Sequence, residues 1–383
     1  MTFPPRWKIR RELFRLRDQM VGGVTGALYD PPRQFLHDRS FGKHLRVTAG
    51  TRSFGTRIAL FVLYQPAGIA ASTQFALGHL ASQGWSPLVV SNAPLSAPDR
   101  AMLAANAALV VERPNVGYDF GAYRDGLRIV AERGLRPERL ILMNDSTWFP
   151  LRSSDDTLAR MGASGADMIG HIFKTESTEK RGRNHVESHL LMFSGKALNH
   201  PAFAAFWRGY VMSDNRATTV LRGEKRLSQT MLSAGLRTEG LMSRERLLAL
   251  LARLDDAGLR AAIGQIVHHR ADTRAYCAGL LARPADNSSW RDAFLGWVSD
   301  VLSNSRQHLL SATFIEPAMR LGGLGFVKKA DDRRHQLGRT KVLEAVDAGR
   351  LAPLQDDVRR EMRQMVDSWV APFDWRHQPG TEE

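Results

Sequence analysis

Cysteine is almost missing: one residue, Cys277, in a chain of 383. A single thiol excludes an intramolecular disulfide framework and a cysteine-rich zinc site, and it fits a reducing compartment. Long apolar runs are missing too; none approaches the ~18–20 residues that span a bilayer. The opening MTFPPRWKIRRELFRLRDQM has no uninterrupted apolar stretch and no small-residue cleavage site, so it does not read as a secretory signal. Several catalytic signatures are absent. There is no Gly-x-x-x-x-Gly-Lys-Ser/Thr phosphate loop, no Gly-x-Ser-x-Gly elbow, no His-Glu-x-x-His and no Cys-x-x-Cys. Gly162-x-x-Gly165 is too short for a dinucleotide fingerprint. Lysine is scarce, 9 residues against 44 arginines, a skew typical of a GC-rich genome. With no helix-turn-helix or RNA-binding signature, the net charge of +14 gives no nucleic-acid partner.

What is present is an ordinary soluble composition, 43% hydrophobic and 24% charged, at a length that suggests two or three domains of ~100–200 residues. The positive charge is concentrated early: residues 1–57 hold 12 Arg or Lys and 4 Asp or Glu. Ile9, Leu13, Leu16 and Met20 recur at helical spacing among Arg10, Arg11, Arg15 and Arg17, the pattern of a basic amphipathic helix. Two readings stand. Such a helix can lie on an anionic membrane with Trp7 and Phe14 at the headgroups, or it can dock on its own domain with a solvated arginine face. Pro31-Pro32 and Gly42 mark a loop, and residues 1–55 show no clear strand pattern.

From Arg57 onward, short apolar runs alternate with helical stretches. Strands are expected at Arg57–Tyr64, Leu88–Ser91, Ala108–Glu112 and Arg139–Met143. Helices are expected at Thr73–Gln83 and Asp119–Arg133, ending at Gly84 and Gly134. Continuous apolar strands separated by helices imply a mainly parallel or mixed sheet covered on both faces, an α/β fold. Thr157–Met161, Met168–Phe173, His189–Ser194 and Ala197–Tyr210 continue the pattern. Beyond about residue 243 strands are no longer apparent and helices take over. The expected division is a basic segment over 1–55, an α/β domain over 56–242 and a helical C-terminal subdomain over 243–383.

Open α/β sheets bind ligands outside the carboxyl ends of their strands. Two segments fall there. Asn115-Val116-Gly117-Tyr118-Asp119-Phe120-Gly121 follows a strand and opens a helix. Its glycines permit close backbone approach, and Asp119 can cap the helix and leave N–H groups for an anion. Asn144-Asp145-Ser146 ends the RLILM strand and delivers oxygen donors of the kind that suit Mg²⁺ or Mn²⁺ on a diphosphate. Taken singly, each also fits a capped turn.

The strings NVGYDFGAYRDG, LILMNDSTWFPL and HVESHLLMFSGKALNHPAFAAFW resemble the rhamnan synthesis protein F family of bacterial polysaccharide assembly, over roughly residues 57–240. More distantly, their layout is similar to inverting GT-A glycosyltransferases. The resemblance implies a GT-A-like fold and transfer of a sugar, rhamnose among the candidates, from a nucleotide-diphosphate donor to a cell-surface polysaccharide or its lipid-linked precursor. It implies donor contacts from Asn115, Gly117, Tyr118, Asp119, Gly121, Asn144, Asp145 and Ser146. Asp145 is the metal candidate for Mg²⁺ or Mn²⁺, although only this middle residue of the expected Asp-x-Asp position is a carboxylate. Glu224, in Arg222-Gly223-Glu224-Lys225-Arg226, matches the segment that supplies the general base; as a structural alternative it is a carboxylate at a helix N-terminus. Arg222, Lys225 and Arg226 lie beside it in sequence for the leaving group. The missing flanking carboxylates also suit a non-catalytic scaffold. The implied location is cytoplasmic, at the inner membrane face if the basic segment touches lipid.

His185, Glu187 and His189 alternate, so on one strand all three would share a face. A metal or acceptor site and a polar strand edge both fit, and His189 joins the substrate-binding candidates. Phe203, Phe206, Trp207 and Tyr210 form the stripe of a core-facing helix. Lys328-Lys329 reads as surface.

Overall fold

The computed structural model describes residues 26, 28–175, 184–284, 289–304 and 308–370; the stretch from Ile9 to Met20 lies outside them. The chain opens with α1 (Asp30–Arg39), β1 (Arg46–Ala49), β2 (Arg57–Leu63), α2 (Ala71–Ser82), β3 (Ser86–Ser91), α3 (Ala97–Asn106), β4 (Leu109–Glu112), α4 (Tyr118–Glu132) and β5 (Arg139–Asn144). It continues with β6 (Thr147–Trp148), α5 (Thr157–Ala163), β7 (Met168–Lys174), β8 (His185–Val186), β9 (Leu190–Ser194), α6 (Gly195–Asn199) and α7 (Pro201–Gly209). Then come α8 (Arg216–Thr219), a π-helical turn (Val220–Lys225), α9 (Arg226–Ser233), β10 (Thr238–Ser243) and α10 (Arg244–Ala252). The last described elements are α11 (Asp256–Gly264), α12 (Ala271–Leu281), α13 (Ser289–Asn304), α14 (Ile315–Gly322), β11 (Val327–Lys328), α15 (Arg333–Asp347) and α16 (Asp356–Asp367).

The sheet order is β1-β4-β3-β2-β5-β9-β7-β10, with β8 alongside β7. β4, β3, β2 and β5 run parallel, β9 is antiparallel between β5 and β7, and β10 is parallel to β7. The expected α/β fold with a mixed, mainly parallel sheet is what forms. Its central strands are apolar at every position because both faces are covered. In β2, Ile58, Leu60 and Val62 enter one buried cluster and Ala59, Phe61 and Leu63 the other. The period of two along a strand sorts one apolar run onto two faces. One face packs on Phe120, Tyr123, Phe203, Phe206 and Trp207, so the aromatic stripe is core as expected. The other receives the C-terminal helices: Trp290, Phe294, Phe314 and Phe326 share a buried cluster with Phe61 and Met143.

Four local expectations are corrected. Residues 46–49 do form a strand, β1, on the exposed sheet edge against β4. Pro31-Pro32 is not a loop but sits in the first turn of α1, where a missing N–H costs nothing and the fixed φ suits the helix. The single helix expected over 197–210 divides at His200-Pro201. A strand recurs late, β11, which pairs antiparallel with β6 at the tip of β5. Among the described residues no helix is long and apolar enough to cross a membrane.

Candidate functional site

The two sequence motifs meet. β4 ends at Glu112, and the chain turns through Arg113–Gly117 into α4. Gly117, not Asp119, is the N-cap; its φ of 74° is left-handed and favours glycine. Its N–H donates to Asp214 Oδ1 at 2.7 Å. Gly121 permits the tightness of the turn, since a β-carbon there would stand 2.1 Å from the Val116 carbonyl oxygen. Tyr118 carries the positive φ of 52° and is exposed. Asn115 is exposed beside it.

Arg113 holds this turn in place. Its guanidinium donates to Asp125 Oδ2 (2.7 Å), Asn92 Oδ1 (2.6 Å) and the Val116 carbonyl (2.8 Å). The Asn92 amide in turn donates to the Tyr118 carbonyl at 3.2 Å, and His37 from α1 bonds the same Asp125 oxygen at 2.9 Å. Sequence reading missed Arg113. Its only local signal is a charged residue directly after an apolar strand.

β5 brings the second motif against the first. Asn144, buried at the strand end, donates from Nδ2 to Asp119 Oδ2 at 2.8 Å. Its Oδ1 accepts from the Ser146 N–H (3.1 Å) and Oγ–H (2.5 Å). Asp145 turns the other way: Oδ2 accepts from the Tyr64 N–H (2.9 Å) and the Gln65 amide (3.0 Å) at the end of β2. Parallel pairing of β2 with β5 sets those two strand ends side by side.

Glu224 joins them from the π turn. Gly223 packs against the Phe120 ring, where a β-carbon would approach to 2.6 Å, and this brings the turn onto α4. Glu224 Oε2 accepts from the Ser188 N–H (2.8 Å) and Oγ–H (2.7 Å), and Oε1 lies 3.4 Å from His185 Nε2. The neighbouring Arg222 is not aimed at the site; it pairs with Asp30 of α1 at 2.8 Å. π turns are rare and concentrate at functional positions.

The carboxylates feel one another. Burial and the nearby Glu224 charge push the Asp119 carboxyl up to about 6, against the hydrogen bonds from Phe120 N–H and Asn144. Burial, then Asp119, Asp145 and Glu224 together, push the Tyr123 hydroxyl well above its ordinary value. One buried phenol thus registers all three charges. A carboxyl raised to about 6 means the folded state binds more protons than the unfolded state between about pH 4 and 6, so stability falls as pH rises through that window. Melting curves from pH 4 to 7 should show this loss in the wild type and not in Asp119→Asn; identical slopes would contradict the placement of Asp119.

The His189 carbonyl accepts the Asn144 N–H at 3.2 Å, but its ring packs on His171 and Phe326 rather than on the two motifs. The 185–189 run is not one strand: β8 stops at Val186, and a turn separates it from β9. His189 is buried, its Nε2 is 2.9 Å from His171 Nδ1, and its ring lies 4.3 Å from that of Phe326. Burial and the Lys328 charge lower it to about 3, against the Glu187 carboxylate 3.6 Å from its Nδ1. Glu187 is buried between Lys174 (2.9 Å) and Lys328 (2.6 Å). Burial alone would raise its carboxyl, but the two ammonium groups hold it well below the ordinary value. Lys328 and Lys329 are therefore not simple surface residues. β11 ends at Lys328 and sets Lys329, the next residue, at the strand-end edge, where its N–H donates to the Ser146 carbonyl at 2.9 Å.

The family described as rhamnan synthesis protein F matches residues 88–254, a span holding both strand-end motifs and Glu224. The chain is also 30% identical over 253 residues to a protein of Sinorhizobium fredii (strain NBRC 101917 / NGR234) described as uncharacterized protein y4gN. That alignment covers 66% of this chain and 66% of the relative. Residues 88–254 of this chain belong to the rhamnan synthesis protein F family, whose description places it in polysaccharide synthesis.

Proposed function

We propose that the chain is an inverting glycosyltransferase with a GT-A-like site. It would move a sugar, rhamnose among the candidates, from a nucleoside diphosphate to a cell-surface polysaccharide or its lipid-linked precursor. One observation carries the reading: Asp119, Asn144, Asp145 and Glu224, from three separated parts of the chain, converge at the carboxyl edge of parallel strands. Such edges bind nucleotides in α/β sheets. An acceptor hydroxyl attacks the anomeric carbon, the bond from that carbon to the diphosphate oxygen breaks, and the electron pair leaves with the diphosphate. Glu224 takes the hydroxyl proton. Ser188 holds one of its oxygens, and the other lies 3.4 Å from His185 Nε2. Alignment of the two sugars supplies much of the rate.

The donor set fits a divalent ion poorly. Both oxygens of Asp119 accept hydrogen bonds, from the Phe120 N–H and the Asn144 amide. Asn144 Oδ1 is taken by Ser146, and one oxygen of Asp145 is taken twice. Among the described residues no group of three or more His, Cys, Asp or Glu could hold a metal ion. No step is therefore routed through Mg²⁺ or Mn²⁺.

A screen of nucleotide sugars by thermal shift tests the proposal. A donor at a hundredfold excess over its Kd should stabilise the fold by about 2.7 kcal/mol, and that donor should be consumed when an oligosaccharide acceptor is added. The hydrogen bonds that Asp119 and Asp145 already accept from the protein favour a second reading, a non-catalytic scaffold in polymer assembly. A complete screen with no stabilising donor would select it.

A further inference from the structure

Lys329 is half-buried and short of partners. Its ammonium reaches one polar group among the described residues, the Ser72 hydroxyl at 3.4 Å, and stands 5.3 Å from the centre of the Trp148 ring. Among the described residues no carboxylate pairs with it directly, although the Ser72 hydroxyl links it to Glu361. Glu361 accepts from the Ser72 N–H (2.8 Å), the Ser72 hydroxyl and the Trp148 indole N–H (3.0 Å). Asp145 Oδ2 accepts from Tyr64 and Gln65. Burial lowers the Lys329 ammonium, and the more distant Glu361 and Asp145 charges only partly offset this. Its neighbour Lys328, by contrast, is ion-paired with Glu187. Lys328 ends β11 and Lys329 follows it, and the two side chains meet different partners, Glu187 and Ser72.

A desolvated cation without a close counter-charge is costly to hold. The backbone nevertheless fixes it: β11 is paired to β6, and the Lys329 N–H is tied to the residue after Asp145. We propose that Lys329 is the cation that meets the diphosphate of the ligand at the Asp145 strand end, in place of a divalent metal ion. When the sugar–oxygen bond breaks and the electron pair passes to the diphosphate, the ammonium neutralises the new charge from a fixed position. This rests on the reading of the strand-end edge as a nucleotide-sugar site, but it can fail separately.

The test is calorimetric titration of the full chain with dTDP, UDP and inorganic pyrophosphate in EDTA, with the nucleotides repeated in Mn²⁺. At least one of these diphosphates should bind in EDTA, and Mn²⁺ should change a nucleotide's Kd less than threefold. Lys329→Met should weaken binding about tenfold or more, the usual worth of a charged hydrogen bond, and Lys329→Arg should stay within threefold of wild type. Binding that appears only with Mn²⁺, that survives Lys329→Met unchanged, or that never appears would overturn the proposal. Loss in the methionine variant counts only if the arginine variant binds and both melt with wild-type cooperativity; loss in both folded variants would also overturn it. Binding through Lys329 without consumption of any nucleotide sugar would uphold the cation and sink the transferase. Sugar transfer that requires Mn²⁺ and ignores Lys329→Met would do the reverse.

Discussion

Glu224→Gln should lower sugar transfer about 10²–10⁴-fold, the usual worth of a positioned general base, while leaving the fold and donor binding in place. The amide keeps the shape of the side chain and one acceptor for Ser188, which now donates to Glu224 twice. It cannot take a proton from the acceptor hydroxyl. The pairing of readouts separates roles. Product formation measures the base; donor titration and the melting temperature measure whether the π turn still sits on Phe120. Transfer within threefold of wild type would remove Glu224 from the mechanism. An equal collapse of donor binding or melting temperature would return it to a structural carboxylate.

Arg113→Met should cost about 3–5 kcal/mol of stability, the range found when one partner of a buried ion pair is removed. Arg113 and Asp125 are both buried, and the guanidinium serves Asp125, Asn92 and Val116 at once. His37 remains on Asp125 and places the expected loss toward the lower end. The pH dependence gives the cause. Burial pushes the Asp125 carboxyl up, but His37 and Arg113 outweigh it and hold the carboxyl below its ordinary value. Its contribution is therefore complete above the unfolded value of ~3.9 and fades as pH falls below that. In Arg113→Met the same carboxyl loses its main counter-charge. The deficit in denaturant-derived stability should be largest near neutral pH and shrink below about pH 4. A deficit independent of pH would mean that Arg113 acts through packing alone.

The parallel half of the sheet was legible because β2, β3, β4 and β5 are buried on both faces and read as unbroken apolar runs. The two strand-end motifs were legible for the same reason, since a polar cluster directly after such a run has few places to go. The elements that were missed carry little periodicity. β1 is a short, mostly exposed edge strand, and β6 and β11 have two residues each. α3 could have been found: Ser96 caps it by accepting from the Asp99 N–H, with Pro98 in the first turn. Arg113 and Lys329 were beyond reach for another reason. Their partners include Asn92, 21 residues away, and Ser72, 257 residues away, so no local window holds the signal. His189 misled because alternation in the sequence suggested one strand face where the chain turns.

The π turn at 220–225 acts as a phase shifter. It carries one residue more per turn than the α-helical stretches on either side, so those stretches can answer to different surroundings. Upstream, Asn215 and Ser213 anchor α8 near the Asp214 carboxylate that receives Gly117. Downstream, Leu227 and Met231 of α9 are locked into the apolar layer beneath the sheet. A straight α-helix would have to choose between those two registers. The surplus residue lets both be kept, and Glu224 lies within the turn that absorbs it.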